Sequence, residues 1–207
     1  AGLSIAGLVA LVYGIIEAPE HGWTDPVVLG SLGIAAVVLV AFIWWELRVE
    51  HPMLRMEFFR NPRFSVGSLA ISVTFFALFG SVFLLTQHLQ FVLGYTPLEA
   101  GLRIMPLAVL IIVAPLSARL VDAVGTKLVV FAGLTGLAGG LLLLSTVDAT
   151  SGYPVVAWSL FVFGIGMGLV MPPATDAIMG SVPLAKAGVG SAMNDTTRMV
   201  GGALGVA

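Results

Sequence analysis

Long apolar runs separated by short polar breaks constrain this chain more than any other feature. Crossing the hydrocarbon core of a bilayer takes about 20 apolar residues in a helix. Runs of that order cover residues 27–45, 65–86, 101–120, 128–147 and 155–175. A shorter run covers 1–16, and a last incomplete one begins within 187–207. The first lacks the basic segment of a signal peptide, so it reads as a truncated membrane helix. The last reads as a helix cut short. Run length and the absence of alternating polarity point to helices rather than barrel strands. The expected class is an all-α, multi-pass membrane bundle.

Composition agrees and excludes other classes. Only 10% of residues are charged and 58% are hydrophobic, whereas a soluble domain carries about 25% charged residues. The net charge of −2 comes without a basic run or interleaved aromatics, which argues against a nucleic-acid partner. There is no cysteine, so disulfides, thiol chemistry and cysteine-ligated metals are excluded.

The breaks orient the spans. Break 17–25 is acidic, 87–100 holds no Lys or Arg, and 148–154 holds none. Break 46–64 carries Arg48, Arg55, Arg60 and Arg63; the fourth carries Arg119 and Lys127; the sixth carries Lys186, with Arg198 following. Basic residues alternate with the breaks, apart from Arg103, so the second, fourth and sixth breaks are expected on the cytoplasmic side of the cell membrane. Trp44 and Trp45 at one boundary, and Trp23 and Tyr95 at the other, fit aromatic belts. Within residues 52–62, Met, Leu and Phe mix with Arg and Glu, as in a short interfacial helix. The expected organisation is a hairpin over 1–50, an amphipathic connector over 51–64 and a bundle over 65–207.

Candidate functional residues gather in the later spans. Pro106 and Pro115 each remove a backbone donor, so their helix is expected to kink. Gly164 and Gly168 lie four residues apart with Gly166 between them, and the pairs Gly136/Gly140 and Gly201/Gly205 repeat the spacing. Such pairs allow close helix approach. Pro172 and Pro173 are expected to break the hydrogen-bond ladder at the end of the glycine-rich helix. Around Asp122, Gly125 and Lys127, a tight turn is expected, with Gly125 at positive φ and Asp122 capping or meeting a helix N-terminus.

The turn 118–127, ARLVDAVGTK, resembles the loop motif G-x-L-x-D-x-x-G-R-K/R of the major facilitator superfamily. Asp122, Gly125 and Lys127 match; Ala118, Ala123 and Thr126 depart from it. LQFVLGYTPLEAGL over 89–102 and AGVGSAMNDTTRMVGGALGVA over 187–207 look like the fourteen-helix drug:proton antiporter branch, the EmrB/QacA-like multidrug exporters. The resemblance covers essentially the whole chain. It implies that 1–45 is the extra hairpin between two six-helix halves, and that 65 onward is the first part of the C-terminal half. It also implies an N-terminal half, outside this chain, holding the antiporter-motif helix and the proton-coupling carboxylates.

Two polar groups remain. Asp176 falls near the cytoplasmic surface and reads either as a gate or as a proton carrier. In Asn194-Asp195-Thr196-Thr197-Arg198, Asn194 and Arg198 share a helix face, and Asp195 and Arg198 can pair at i,i+3. If the helix starts near Ala187 the cluster lies partly within the membrane; if it starts near Met199 the cluster is solvated. His21, His51 and His88 lack paired ligand spacing, and no Ser/His/Asp set or phosphate loop is present, so neither enzyme chemistry, a metal nor a cofactor is expected. The resemblance implies proton-coupled export of lipophilic drug-like molecules by alternating access. Uptake of another solute and a non-transporting membrane scaffold are the rivals.

Overall fold

The computed structural model describes residues 2–49, 56–148 and 151–207. Among the described residues the chain forms eight α-helices and no strand. They are α1 (Gly2–His21), α2 (Pro26–Glu46), α3 (Pro62–Gln87), α4 (Pro97–Ile104), α5 (Val109–Val124), α6 (Thr126–Leu144), α7 (Tyr153–Met179) and α8 (Ala187–Val206). Six stretches are long and apolar enough to cross a membrane; α4 and α5 together make one of them, Pro97–Val124.

The helix starts are written locally. Pro26, Pro62 and Pro97 each occupy a first-turn position, where the missing N–H would have no intrahelical partner anyway. Before them, Asp25 Oδ1 accepts from Val27 N at 2.7 Å and Asn61 Oδ1 accepts from Arg63 N at 3.0 Å. Thr96 and Glu99 form a reciprocal capping box.

Packing then arranges the spans. Half of the apolar window of α7 is buried, against 22% or less for any other span, so α7 is the central helix. It packs on α6, α5 and α3, and α3 packs along α8. The α1–α2 hairpin packs chiefly on itself, and its main approach to the rest is α1 against α8. One buried cluster joins Phe64, Ile71, Phe163, Met167, Val170 and Ile178. A second, at the other end of α3 and α7, joins Leu85, Leu89, Ala100, Val156 and Leu160. Val37, Ile112, Phe131 and Leu142 are 68% to 76% exposed, an outward apolar surface that suits lipid rather than water.

Several expected boundaries move. α7 runs from Tyr153 through both prolines to Met179, so Pro172 and Pro173 lie inside the helix and do not end it. Each proline withdraws only its own donor, and a packed membrane helix tolerates that loss. Span 101–120 extends to Pro97–Val124; Pro106 sits in a 3₁₀ turn (Met105–Ala108) that joins α4 to α5, whereas Pro115 is carried within α5. α3 begins at Pro62, which shortens the connector 51–64. Residues 51–55 of that connector lie outside the described residues, and Met56–Arg60 form a short 3₁₀ helix.

Candidate functional site

Two glycine-lined contacts and one polar cluster define the candidate site. The first contact surrounds α7. A Cβ on Gly164 would lie 2.7 Å from the Leu107 carbonyl oxygen, and one on Gly168 would lie 2.8 Å from Val113 Cβ. These two glycines therefore face α5 and the turn before it. Gly166, between them, faces α6, where a Cβ would meet the backbone of Leu137, Gly133 and Gly136. From the α6 side, a Cβ on Gly133 would lie 2.9 Å from the Gly166 oxygen, and one on Gly140 would lie 2.7 Å from Phe163 N. The glycines of α7 thus divide between two neighbouring helices. Pro173 is buried just beyond them and Pro172 is half-buried.

The second contact joins α8 to α3. Gly201 lies against the Ser72 carbonyl and Gly205 against the Phe76 carbonyl, while a Cβ on Gly80 would lie 2.6 Å from the Gly205 oxygen. Ser72 Oγ donates to the Thr197 carbonyl at 3.3 Å on the same line. Positions 72, 76 and 80 of α3 face 197, 201 and 205 of α8, four-residue steps on both helices.

The polar cluster sits beside this contact. α8 starts at Ala187, so Asn194–Arg198 lies within the helix, about 16 Å beyond Ala187 at Arg198. Arg198 Nη2 donates to Thr175 Oγ1 of α7 at 3.1 Å, and its guanidinium carbon lies 5.4 Å from the centre of the Phe75 ring of α3. One side chain therefore links three helices. No ion pair joins Asp195 to Arg198; the i,i+3 pairing does not form, because Thr175 and Phe75 hold the guanidinium instead. Asn194 Oδ1 and Arg198 Nε are buried without a hydrogen-bond partner among the described residues. Asp195 is exposed, and Asp176 is exposed in the last turn of α7, one residue beyond Thr175.

The turn 118–127 is tighter than a loop. Gly125 alone joins α5 to α6, at φ +86° and ψ 152°, a region essentially restricted to glycine. Asp122, on α5, does not cap α6, whose N-terminus has no side-chain cap; Asp122 and Lys127 are both exposed. Gly125→Ala is expected to destabilise the full-length protein by about 1–3 kcal/mol, read as a lower unfolding temperature in detergent. An unchanged temperature would mean that the turn relaxes without strain.

Several contributors gave little or no sequence signal. Thr175 is a lone threonine beside Asp176, Phe75 belongs to an aromatic-rich run, and Gly80 has no four-residue partner in its own helix. Gly133 carried a findable signal, since it stands three residues before the Gly136/Gly140 pair. Arg103, the basic residue out of step with the breaks, lies 3.6 Å from the centre of the Tyr95 ring, and Tyr153 Oη donates to its carbonyl at 3.3 Å. Glu17, Glu20 and His21 approach one another at the end of α1, with His21 Nδ1 3.1 Å from Glu17 Oε2.

The sequence profile of the Major Facilitator Superfamily matches residues 1–206. The Multidrug resistance protein Stp of Mycobacterium tuberculosis is 37% identical over 99% of this chain and 38% of its own length. The Tetracenomycin C resistance and export protein of Streptomyces glaucescens is 33% identical over 95% of this chain and 37% of its own. The Lincomycin resistance protein LmrB of Listeria innocua is 29% identical over 99% and 44%. The chain therefore spans about two fifths of the length of these relatives.

Proposed function

The chain belongs to the Major Facilitator Superfamily, and from that footing we propose that it forms part of a plasma-membrane transporter that exports drug-like small molecules in exchange for protons. The relatives whose names record drug resistance or export carry this reading, because they match nearly the full chain. In this reading α1 and α2 are a hairpin linking two helical halves, and α3 to α8 belong to the second half. The remaining helices would complete a central path, and the halves would rock about it to expose substrate alternately to each side.

The basic residues support an orientation. Arg60 and Arg63 precede or open α3, Arg119 and Lys127 flank the Gly125 turn, and Lys186 precedes α8. With neighbouring spans antiparallel, these positions fall at one end of the bundle, which we assign to the cytoplasm. Asp122, Gly125, Lys127, Asp176, Asn194, Asp195 and Arg198 then gather in its cytoplasmic half. We assign them to a cytoplasmic gate, in which Arg198 ties α7 to α8 through Thr175. Gly164, Gly166, Gly168, Pro172 and Pro173, with Gly201 and Gly205, supply the close-packed seams along which helices shift. A helix lacking side chains at the contact can slide or bend without unlocking interdigitated rotamers.

The test uses the complete protein in a pump-deficient host. Asp122→Asn and Arg198→Gln are expected to lower ethidium resistance at least fourfold at unchanged membrane expression. Resistance equal to wild type in both would favour a scaffold role and contradict the gate.

A further inference from the structure

Irregular backbone sets α4 apart on both sides. Upstream, α3 gives way to a single π-helical turn, His88–Val92, followed by Gly94 at φ +70°. Downstream lies the 3₁₀ turn Met105–Ala108, which contains Pro106. Changes of helix type and a glycine at positive φ are places where a chain absorbs a change of direction. Between these joints, residues 95–104 are tied into one unit. Thr96 and Glu99 close the capping box, and Arg103 Nη1 donates to the Glu99 carbonyl at 3.3 Å. The Arg103 guanidinium carbon lies 3.6 Å from the centre of the Tyr95 ring, a cation–π contact that joins the two ends of the unit. The unit covers the second buried cluster: Ala100 belongs to it with Leu89, Val156 and Leu160, and Tyr95 and Ile104 pack against it.

Tyr153, in the first turn of α7, fastens the unit from outside. Its Oη donates to the Arg103 carbonyl at 3.3 Å, and its ring centre stands 5.9 Å from the guanidinium carbon. That carbonyl belongs to the last turn of α4, where carbonyls lack intrahelical partners. At 3.3 Å the bond is longer than a usual O–H···O bond, so it is inexpensive to break.

We propose that residues 95–104 form a hinged cap, latched by Tyr153, which lifts during the transport cycle to open the end of the bundle away from Lys127. Gly94 and the turn Met105–Ala108 are the hinges, a few residues that take up the change in backbone angles. The downstream hinge is seated on α7, because Gly164 has no side chain and a Cβ there would lie 2.7 Å from the Leu107 carbonyl oxygen. The cap therefore swings without pulling α5 from α7. Lifting uncovers Leu89, Val156 and Leu160, so the closed cap is the resting state. Arg103 stands against the charge bias of the breaks because it stiffens the cap through Tyr95. The proposal rests on the transport reading for the task it gives the cap; the cap and its latch stand on the geometry alone.

The test measures thiol labelling by a water-soluble maleimide on the full-length protein in nanodiscs, with any other cysteine removed. Ala100→Cys places the reporter on the inner face of the cap, at a position 1% exposed. Ala174→Cys is the reference, equally buried in the other cluster at 1%. Both should label slowly. Tyr153→Phe keeps the ring and loses the hydroxyl, and should speed labelling at position 100 by about twofold or more. Tyr153→Leu removes the ring contact as well, and should speed it by about fivefold or more. The rate at position 174 should stay within about twofold in both, which separates a released latch from general loosening. Ethidium should raise the rate at position 100 at least twofold, since cargo shifts the population toward the state it favours.

A rate at position 100 indifferent to Tyr153→Leu, or raised equally at position 174, would overturn the latch. No response to ethidium in a protein that pumps ethidium from cells would overturn the cap's part in transport. The two readings fail separately: if the protein does not pump, the transport reading falls, and the Tyr153 variants still decide the latch.

Discussion

Gly166→Ala is expected to push α6 away from α7 and to destabilise the full-length protein by about 3 kcal/mol. The new methyl would meet the Leu137 nitrogen, the Gly133 oxygen and the Gly136 carbonyl carbon. All three belong to backbone, so no rotamer change can clear the space; one helix must move. The displaced contact is the largest around the most buried span, and its loss opens the core cluster containing Leu137, Phe163 and Val170. Gly139→Ala is the matched control on α6. Its Cβ would lie 4.0 Å from Val162 Cγ1, an ordinary contact, and a change under about 0.5 kcal/mol is expected. Unfolding temperature in detergent, followed by fluorescence-detected gel filtration, reads both. Equal temperatures for the two variants would mean that α6 and α7 are not held at this distance in the assembled protein.

Gly205→Ala should act on transport as strongly as Gly166→Ala acts on stability. The added methyl falls on the Phe76 backbone, at the crossing where Gly80 approaches the Gly205 oxygen in return. Separating α8 from α3 there shifts the register of Ser72 against Thr197 and moves Arg198 relative to Phe75. Efflux by the full-length protein is expected to fall at least tenfold, with the variant still reaching the membrane. Gly188→Ala supplies the control on the same helix, because its Cβ meets nothing within 4 Å; it should transport as wild type. Equal efflux from the two variants would show that the α3–α8 contact is static packing without a part in the cycle.

Much of the fold was legible in the chain. Run length located every span, because a bilayer imposes a length that a soluble core does not. Asp25-Pro26, Asn61-Pro62 and Thr96-Pro97 carried their own start signals. Ends were harder. Pro172-Pro173 reads as a stop in an isolated helix, yet in α7 the surrounding helices hold the backbone on course to Met179.

The site was legible only where its signals are local. Gly125 announced a positive φ and has one. Spacing placed Asp195 and Arg198 within pairing distance, but the competitors that prevail, Thr175 and Phe75, come from two other helices and are invisible to a reading along one. The glycine spacing signalled close packing without saying against what. That Gly166 faces α6 while Gly164 and Gly168 face α5 follows from how three helices meet. Gly80 shows the limit most plainly, since its partner Gly205 is more than a hundred positions away.

The most direct measurement of the central proposal is ethidium efflux from a pump-deficient host expressing the complete protein, with and without a protonophore. Active efflux that collapses when the proton gradient is discharged is the predicted result. Absence of efflux, or efflux that continues undiminished after the gradient is gone, would contradict proton-coupled export.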